Sequence, residues 1–499
     1  MKHKKQTETN SLLKLIPIIY GIMFIIVIFL LLFISGVTYH LKRNYFISNL
    51  LVIIPFSIIL FLFYKFYKDK KIEKKKFRIF LIILFAVVAI LQIVLITHTY
   101  FYTDWDVKVI REIVNNYIKE GSIKDNFYLS IYPNNILLTA ILAFIKKLPF
   151  IGKYYLTTLI FNAGIVNISG ILTALTIKNL KNEKLALLSY IIMIPLILLS
   201  PWINIPYSDT FALPFITAIM YIYSKQNKKL IDYSLIGFLS FLGYKIKPTV
   251  IIILIAIIIV EVISNIKKLN KTYIKEKIKP IGVFIIGIVC AFLSVKVATM
   301  YLNFKPLSYA KSISFIHYLA MGQNNETLGS YSQQDVDDTI NLGTRQDITK
   351  FKERVLGRTP IETLDFYSKK TLLNFNDGSF CWGLDGTFFY KKVKAPNSFA
   401  KFLRQIYYND GKYFDTFIQI QNILWLIVLF FAPFIIKKKN TKQELVIMLS
   451  IIGLVLFLTI FEPRTRYMYC YSEIYVMAAM LGLYNIKEFI IERKRHTKK

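Results

Sequence analysis

The sequence predicts an all-α polytopic membrane protein, and three observations carry that prediction. Hydrophobic residues make up 55% of the 499, and the mean hydropathy is +0.48. Many apolar runs exceed the roughly 18 residues that a helix needs to cross a bilayer. Between those runs Lys and Arg recur in short clusters, as they do in cytoplasmic loops of membrane proteins. The clusters account for a formal charge of +33 without invoking nucleic acid, whose recognition motifs do not occur. Cys290, Cys381 and Cys470 lie far apart with no CxxC, so they suggest neither a disulfide framework nor a zinc site.

Taken in order, the N-terminus carries Lys2, Lys4, Lys5 and Lys14, which places it in the cytoplasm. The segment from Leu12 to Ile34 is too long for a signal peptide and reads as a membrane helix. Helices over 12–36 and 47–67 form a hairpin, closed by the strongest basic cluster, Lys70, Lys71, Lys74, Lys75 and Lys76. A helix over 78–98 delivers Asp104 and Asp106 to the outer face. After it Val107, Ile110, Ile113, Val114, Tyr117 and Ile118 recur at helical spacing, which predicts an amphipathic helix on the membrane surface. The apolar stretch 128–147 is read as a partial or re-entrant helix entered at Pro133, because a full crossing would invert every later basic loop. Spans then follow at 155–177, 185–202, 210–224, 230–244, 248–266, 280–302, 415–436, 443–461 and 467–487, giving about twelve to thirteen helices with both termini inside.

This divides the chain into an N-terminal hairpin with its basic loop (1–77) and a transmembrane core (78–303) carrying the acidic outer loop 99–127. A large extracytoplasmic loop (304–413) and the C-terminal helices with a basic tail (414–499) follow. The loop is too long for a connection and too aromatic for a disordered linker, so it is expected to be a small folded lid or acceptor-binding cap. Its Asp335, Asp337 and Asp338 lack calcium-loop spacing and read as solvated surface. The location implied is a bacterial cytoplasmic membrane, with the working face outside.

Candidate functional residues gather on that face. Asp104 and Asp106 can act as general base and partner, or share a divalent cation through oxygen ligands; helix capping explains them equally well. Arg464 and Arg466 offer guanidinium forks for phosphate, against the alternative of snorkelling at the interface. Lys245 and Lys247 are cations on the side where cations need a reason. Asp209 heads a helix, as a cap or as a hydroxyl partner. Glu473 falls within an apolar helix, where an ionisable group is costly. His98 and His317 have no ligand-like spacing.

Three motifs together resemble the GT-C superfamily of membrane glycosyltransferases, which includes protein O-mannosyltransferases and lipid A aminoarabinose transferases. They are the acidic Asp104-Trp105-Asp106-Val107 before an amphipathic helix, Tyr132-Pro133-Asn134-Asn135 opening the next apolar helix, and Arg464-Thr465-Arg466-Tyr467 before the last one. The Met321-Gly322 and Asp377-Gly378-Ser379-Phe380 stretches are similar to Gram-positive bacterial relatives. Two helices ahead of the acidic loop, and Asn134 where many relatives have Pro, depart from the pattern. The resemblance implies a polyprenyl-phosphate sugar donor, an envelope glycan, teichoic acid or protein acceptor, and inversion by direct displacement. Asp104 would be the base and Asp106 its partner. Arg464, Arg466, Lys245 and Lys247 would hold the lipid phosphate, with Asp209, Tyr132 and Glu473 contributing to substrate binding. No metal is implied for a monophosphate donor. A lipid-linked polysaccharide polymerase or ligase, and a non-enzymatic flippase or transporter, are the competing readings.

Overall fold

The computed structural model describes residues 11–35, 46–68, 71–148, 154–268, 270–309, 312–384 and 386–496. Lys2, Lys4, Lys5 and Lys70 of the basic clusters, and the last three residues of the tail, lie outside them. Among the described residues nine helices are long and apolar enough to cross a membrane. They are Ser11–Ile34, Asn49–Phe66, Lys74–Thr99, Tyr155–Leu180, Pro248–Asn265, Lys271–Tyr301, Phe414–Ile435, Lys442–Ile460 and Ser472–Lys494.

Three further expected crossings are helices of lesser length. Ser208–Ser224 and Leu230–Ile246 have 17 residues each, and Glu183–Met193 continues only as the five-residue π-turn Ile194–Leu198. Nine of the twelve expected crossings are thus matched by helices of that length among the described residues, and the other three are present as shorter helices. The shortening has a local cause: Pro195 removes a backbone donor where the ladder widens, and Pro201 and Pro206 bound the turn that follows. Ser208–Ser224 is buried on nearly every side, so it is a core helix shielded from lipid by its neighbours.

The stretch 128–147 is broken, as the position of Pro133 predicts. Phe127–Ile131 stops at Tyr132 (φ −118°, ψ 66°), Pro133–Asn135 makes a 3-10 turn, and Ile136–Lys146 carries on. The amphipathic helix is Trp105–Glu120, which buries Val107, Ile110, Ile113, Val114 and Tyr117, and ends at Gly121 in the left-handed region (φ 73°) that glycine adopts at least cost.

Close helix contacts come from small residues. Leu230–Ile246 and Lys271–Tyr301 pack at Gly237 and Gly287, where an added Cβ would lie 2.2 Å from Phe284 O and 2.0 Å from Ser234 O. The N-terminal hairpin is built into the bundle: Tyr20 donates to Ala432 O (3.2 Å), Asn49 donates to Asn376 Oδ1 (2.6 Å) and Asn422 donates to Asn49 Oδ1 (3.2 Å).

The bundle has two unlike ends. At one, Lys181 and Lys437 meet Glu444, Lys442 meets Glu261, and Lys225 meets Asp232. The other end carries Trp105–Glu120, the turn before Ser208, the Lys247 turn, residues 304–413 and the turn at 461–464. The 304–413 region is folded, with helices Phe315–Met321, Gln333–Leu342, Thr344–Leu356, Pro360–Phe375 and Ser398–Tyr407. Its Lys391–Lys392 pairs antiparallel with Phe101–Tyr102. Asp335 is not solvated, contrary to expectation. It is buried, bonded by Arg354 (2.7 and 3.0 Å) and Lys350 (3.2 Å), and this ionic lock, with burial opposing it, holds its carboxyl down at about 2. Asp338 is paired with the same Lys350.

The Gly378–Phe389 stretch roots this region in the bundle. The Asp377 carboxylate accepts from Ser379 N (2.9 Å), Ser379 Oγ (2.6 Å) and Cys381 N (2.7 Å). Those bonds hold Phe380 and Cys381 at φ 53° and 77°, which swings Phe380 onto Trp425 (ring centroids 5.0 Å).

Candidate active site

Trp105 is the first residue of the amphipathic helix and has φ 48°, a conformation bulky residues rarely adopt. The surroundings enforce it. Its ring meets Tyr207 edge-on (5.1 Å) and Phe388 (5.4 Å), and the Arg466 guanidinium lies 4.6 Å from its centroid. Asp104 N donates to Thr387 O (3.1 Å) and Thr103 Oγ1 to Phe388 O (3.0 Å), which ties the turn to the large loop.

This twist sends the two aspartates to different partners. Asp104 occupies the N-cap position but makes no capping bond; it pairs with Lys108 (3.4 Å), itself 4.4 Å from the Tyr390 ring, at the half-exposed rim. Asp106 turns inward and accepts from Tyr207 Oη at 2.8 Å. Tyr128 lies beside it as well, with its hydroxyl accepting from Asn135 Nδ2 (2.7 Å). Burial first, and then the Asp106 charge, push both phenols well above their ordinary range, so both remain neutral donors toward the carboxylate.

Behind Asp106 sits a buried ion pair, Asp209–Lys247 at 2.8 Å. Asp209 does not cap its helix: Tyr207 holds the N-cap position and Thr210 Oγ1 accepts its backbone N–H. Lys247 follows the last turn of Leu230–Ile246 in an extended conformation (φ −149°, ψ 118°), which directs it inward over the Tyr467 ring at 4.4 Å. Lys245, still within that turn, lies over Phe241 and Tyr244 of its own helix and does not join the cluster. Helical and extended backbone on either side of Ile246 separate two lysines that the sequence treats alike.

Arg466 is 8% exposed and lies near the Trp105, Tyr207 and Tyr467 rings. Burial opposes its charge, but Tyr467, Asp209, Tyr207 and Glu462 outweigh that and hold the guanidinium ionised. Its Nε has no hydrogen-bond partner among the described residues, and the same is true of Asp209 Oδ2 and Trp105 Nε1. Buried polar atoms are ordinarily paired, so these three leave bonding capacity at this end of the bundle, as other buried atoms do elsewhere in the chain. Arg464 pairs with Glu462 (3.4 Å), which also accepts from Tyr467 Oη (2.9 Å). Tyr132 packs against Tyr128 (5.1 Å), and burial, Tyr331, Asp106 and Glu462 raise its phenol.

The structure thus brings together Asp106, Asp209, Lys247 and Arg466, with Tyr132 and Arg464 at the edge and Asp104 at the rim. Glu473 is elsewhere: inside the bundle it accepts from Ser169 and Thr173, both at 2.6 Å. Tyr128 and Tyr207 are candidates that the sequence does not single out; closeness in sequence to Asp209 is the one signal for Tyr207, and Tyr128 has none, while Trp105 and Tyr467 enter only as members of the acidic and arginine motifs. No three His, Cys, Asp or Glu side chains come together as a metal-holding group among the described residues, and Asp104 and Asp106 face different partners. The arrangement offers a carboxylate that can take a proton, beside cations that can meet a developing negative charge.

Residues 8–486 match a family described as conserved hypothetical integral membrane proteins, and the chain belongs to that family. Comparison with curated proteins gives no match, and comparison with solved structures gives none.

Proposed function

We propose, from the premise of an integral membrane family, that this protein is a glycosyltransferase of GT-C type. It takes a sugar from a polyprenyl-phosphate donor and passes it to a cell-envelope glycan, teichoic acid or protein. The observation that carries the reading is the placement of Asp106 between two neutral phenols, facing a cluster that holds Arg466 and the Asp209–Lys247 pair. Orientation follows from charge: Lys181, Lys225, Lys437 and Lys442 at the opposite end fit the cytoplasmic side of a bacterial membrane, which puts Asp106 outside.

In this reading Asp106 is the base and Asp104 a rim residue that shapes access. An acceptor hydroxyl attacks the anomeric carbon and its proton passes to Asp106. The bond from that carbon to the phosphate oxygen breaks on the opposite side, and the polyprenyl phosphate leaves with the electron pair. Arg466 and Lys247 meet the charge that grows on that oxygen, aided by Arg464 at the mouth. Anomeric configuration is inverted. Tyr207 and Tyr128 fix the Asp106 carboxylate, and Tyr132 with the Trp105 ring walls the sugar site.

The test is loss of one envelope sugar. Cells lacking the protein are expected to lack one decoration in their glycan composition, and wild-type complementation is expected to restore it. Unchanged glycan composition in the deletion strain would contradict the reading.

A further inference from the structure

The amphipathic helix has a second working face. Val107, Arg111 and Val114 recur at one side of Trp105–Glu120 and line a cavity of about 200 Å³. Lys146, Tyr155 and Pro206 close it from the neighbouring elements. Tyr102 and Tyr155 stack at 4.7 Å, and the Arg111 guanidinium lies 4.8 and 5.9 Å from their centroids, with one weak bond to Thr103 O (3.4 Å). Lys146 is bonded to the Asn115 side chain.

Neither cation has an ion-pairing carboxylate among the described residues, although half-buried cations are costly without a counter-charge. Like charges gathered around a cavity, with the Asn115 amide beside them and no acid in its wall, describe a seat for an anion. Its position says which kind. Tyr155 begins a membrane span and Lys146 ends the short apolar helix Pro133–Lys146. Beside them Phe144 and Phe161 are 58% and 42% exposed, as lipid-facing side chains are. The volume is below the roughly 300 Å³ at which pockets for whole small molecules begin, so it suits a headgroup whose chains stay in the bilayer. Asp106 points from the other side of the same helix to Tyr207, which separates this cavity from the transfer site.

We infer that this cavity binds the phosphate of an anionic glycerophospholipid, held by Arg111 and Lys146 against the Tyr102–Tyr155 stack. The inference does not rest on the glycosyltransferase reading. The test uses the full chain in phosphatidylcholine nanodiscs titrated with phosphatidylglycerol, with retained lipid read by native mass spectrometry. Arg111→Gln/Lys146→Gln is expected to lower retention at least tenfold, while Lys146→Arg and Asp106→Asn retain it. Unchanged retention in a folded double variant would overturn the inference. So would preferential retention of a polyprenyl monophosphate, which would make this the donor seat, or binding of inorganic phosphate with no lipid preference. Should the double variant not fold, wild-type protein decides: phosphatidylglycerol is expected to shield Lys146 from an amine-acylating reagent, and equal labelling with and without it would refute the assignment.

Discussion

The two ends of the bundle are built from the same charged residue types and treat them differently. At the basic end three acids that join loops to helices are fully answered. Glu444 takes Lys437 (2.6 Å) and Lys181 (3.7 Å), Glu261 takes Lys442 (2.7 Å) and the Tyr223 hydroxyl (2.9 Å), and Asp232 takes Lys225 (2.7 Å) and the Lys229 backbone N–H (2.8 Å). At the Asp106 end burial is deeper, with Asp209 and Lys247 almost fully enclosed where Lys442 and Glu261 are 39% and 42% exposed, yet pairing is incomplete: Asp209 Oδ2, Arg466 Nε and Trp105 Nε1 have no partner among the described residues. Saturated charges lock loops between helices. Buried charges left part-satisfied keep bonding capacity for something that arrives, at a cost in stability.

That contrast can be broken in graded steps. The largest stability effect belongs to Asp209→Ala, which strands Lys247 in the interior and should cost about 3–5 kcal/mol in chemical unfolding, whereas Asp209→Leu/Lys247→Met should recover most of it. A single variant no less stable than wild type would mean the pair is solvated. Next comes Arg466→Gln, expected to cut sugar transfer about 10²–10³-fold, or ~2.7–4 kcal/mol of transition-state stabilisation, with Arg466→Lys failing to restore it. Full activity in the lysine variant would show that a point charge suffices. At the basic end Glu444→Gln should cost about 1.5–3 kcal/mol and leave transfer unchanged; a transfer defect there would erase the distinction between the ends.

A pH series sharpens the comparison in a different way. Lys370, in Pro360–Phe375 behind the 461–464 turn, is buried with Gly322 O as its acceptor, and burial, with Arg358 adding to it, lowers its ammonium to about 7 from 10.5. Below pH 7 folded and unfolded chains both hold the proton, and the burial penalty is fully present. Between pH 7 and 10.5 only the unfolded chain holds it, so stability should rise with pH, by up to about 1.4 kcal/mol per unit. Melting temperature measured from pH 6.5 to 9 should rise, and Lys370→Met should flatten that slope.

How much of this was legible in the sequence differs between local and distant relations. The amphipathic helix was readable because its 3.6-residue period is written in consecutive residues, and the break at Tyr132-Pro133 because proline acts on its own backbone. The early end of Glu183–Met193 is less legible, because hydropathy does not see where Pro195 interrupts an apolar run. Asp209 and Lys247 were each singled out, but nothing in a pattern says that residues 38 positions apart share a bond. The choice between Asp104 and Asp106 was out of reach for a sharper reason: it depends on the positive φ of Trp105, which tertiary packing imposes. Asp335 looked solvated because its partner Arg354 lies 19 residues on, in another helix.

The most direct test of the account sets the two aspartates against each other. Glycan composition would be measured in deletion cells complemented with wild type, Asp104→Asn or Asp106→Asn at matched membrane levels. The account predicts that Asp106→Asn loses the decoration, as expected when a general base worth about 10²–10⁴-fold is removed, and that Asp104→Asn largely restores it. Restoration by Asp106→Asn would contradict the central claim that this end of the bundle is the transfer site.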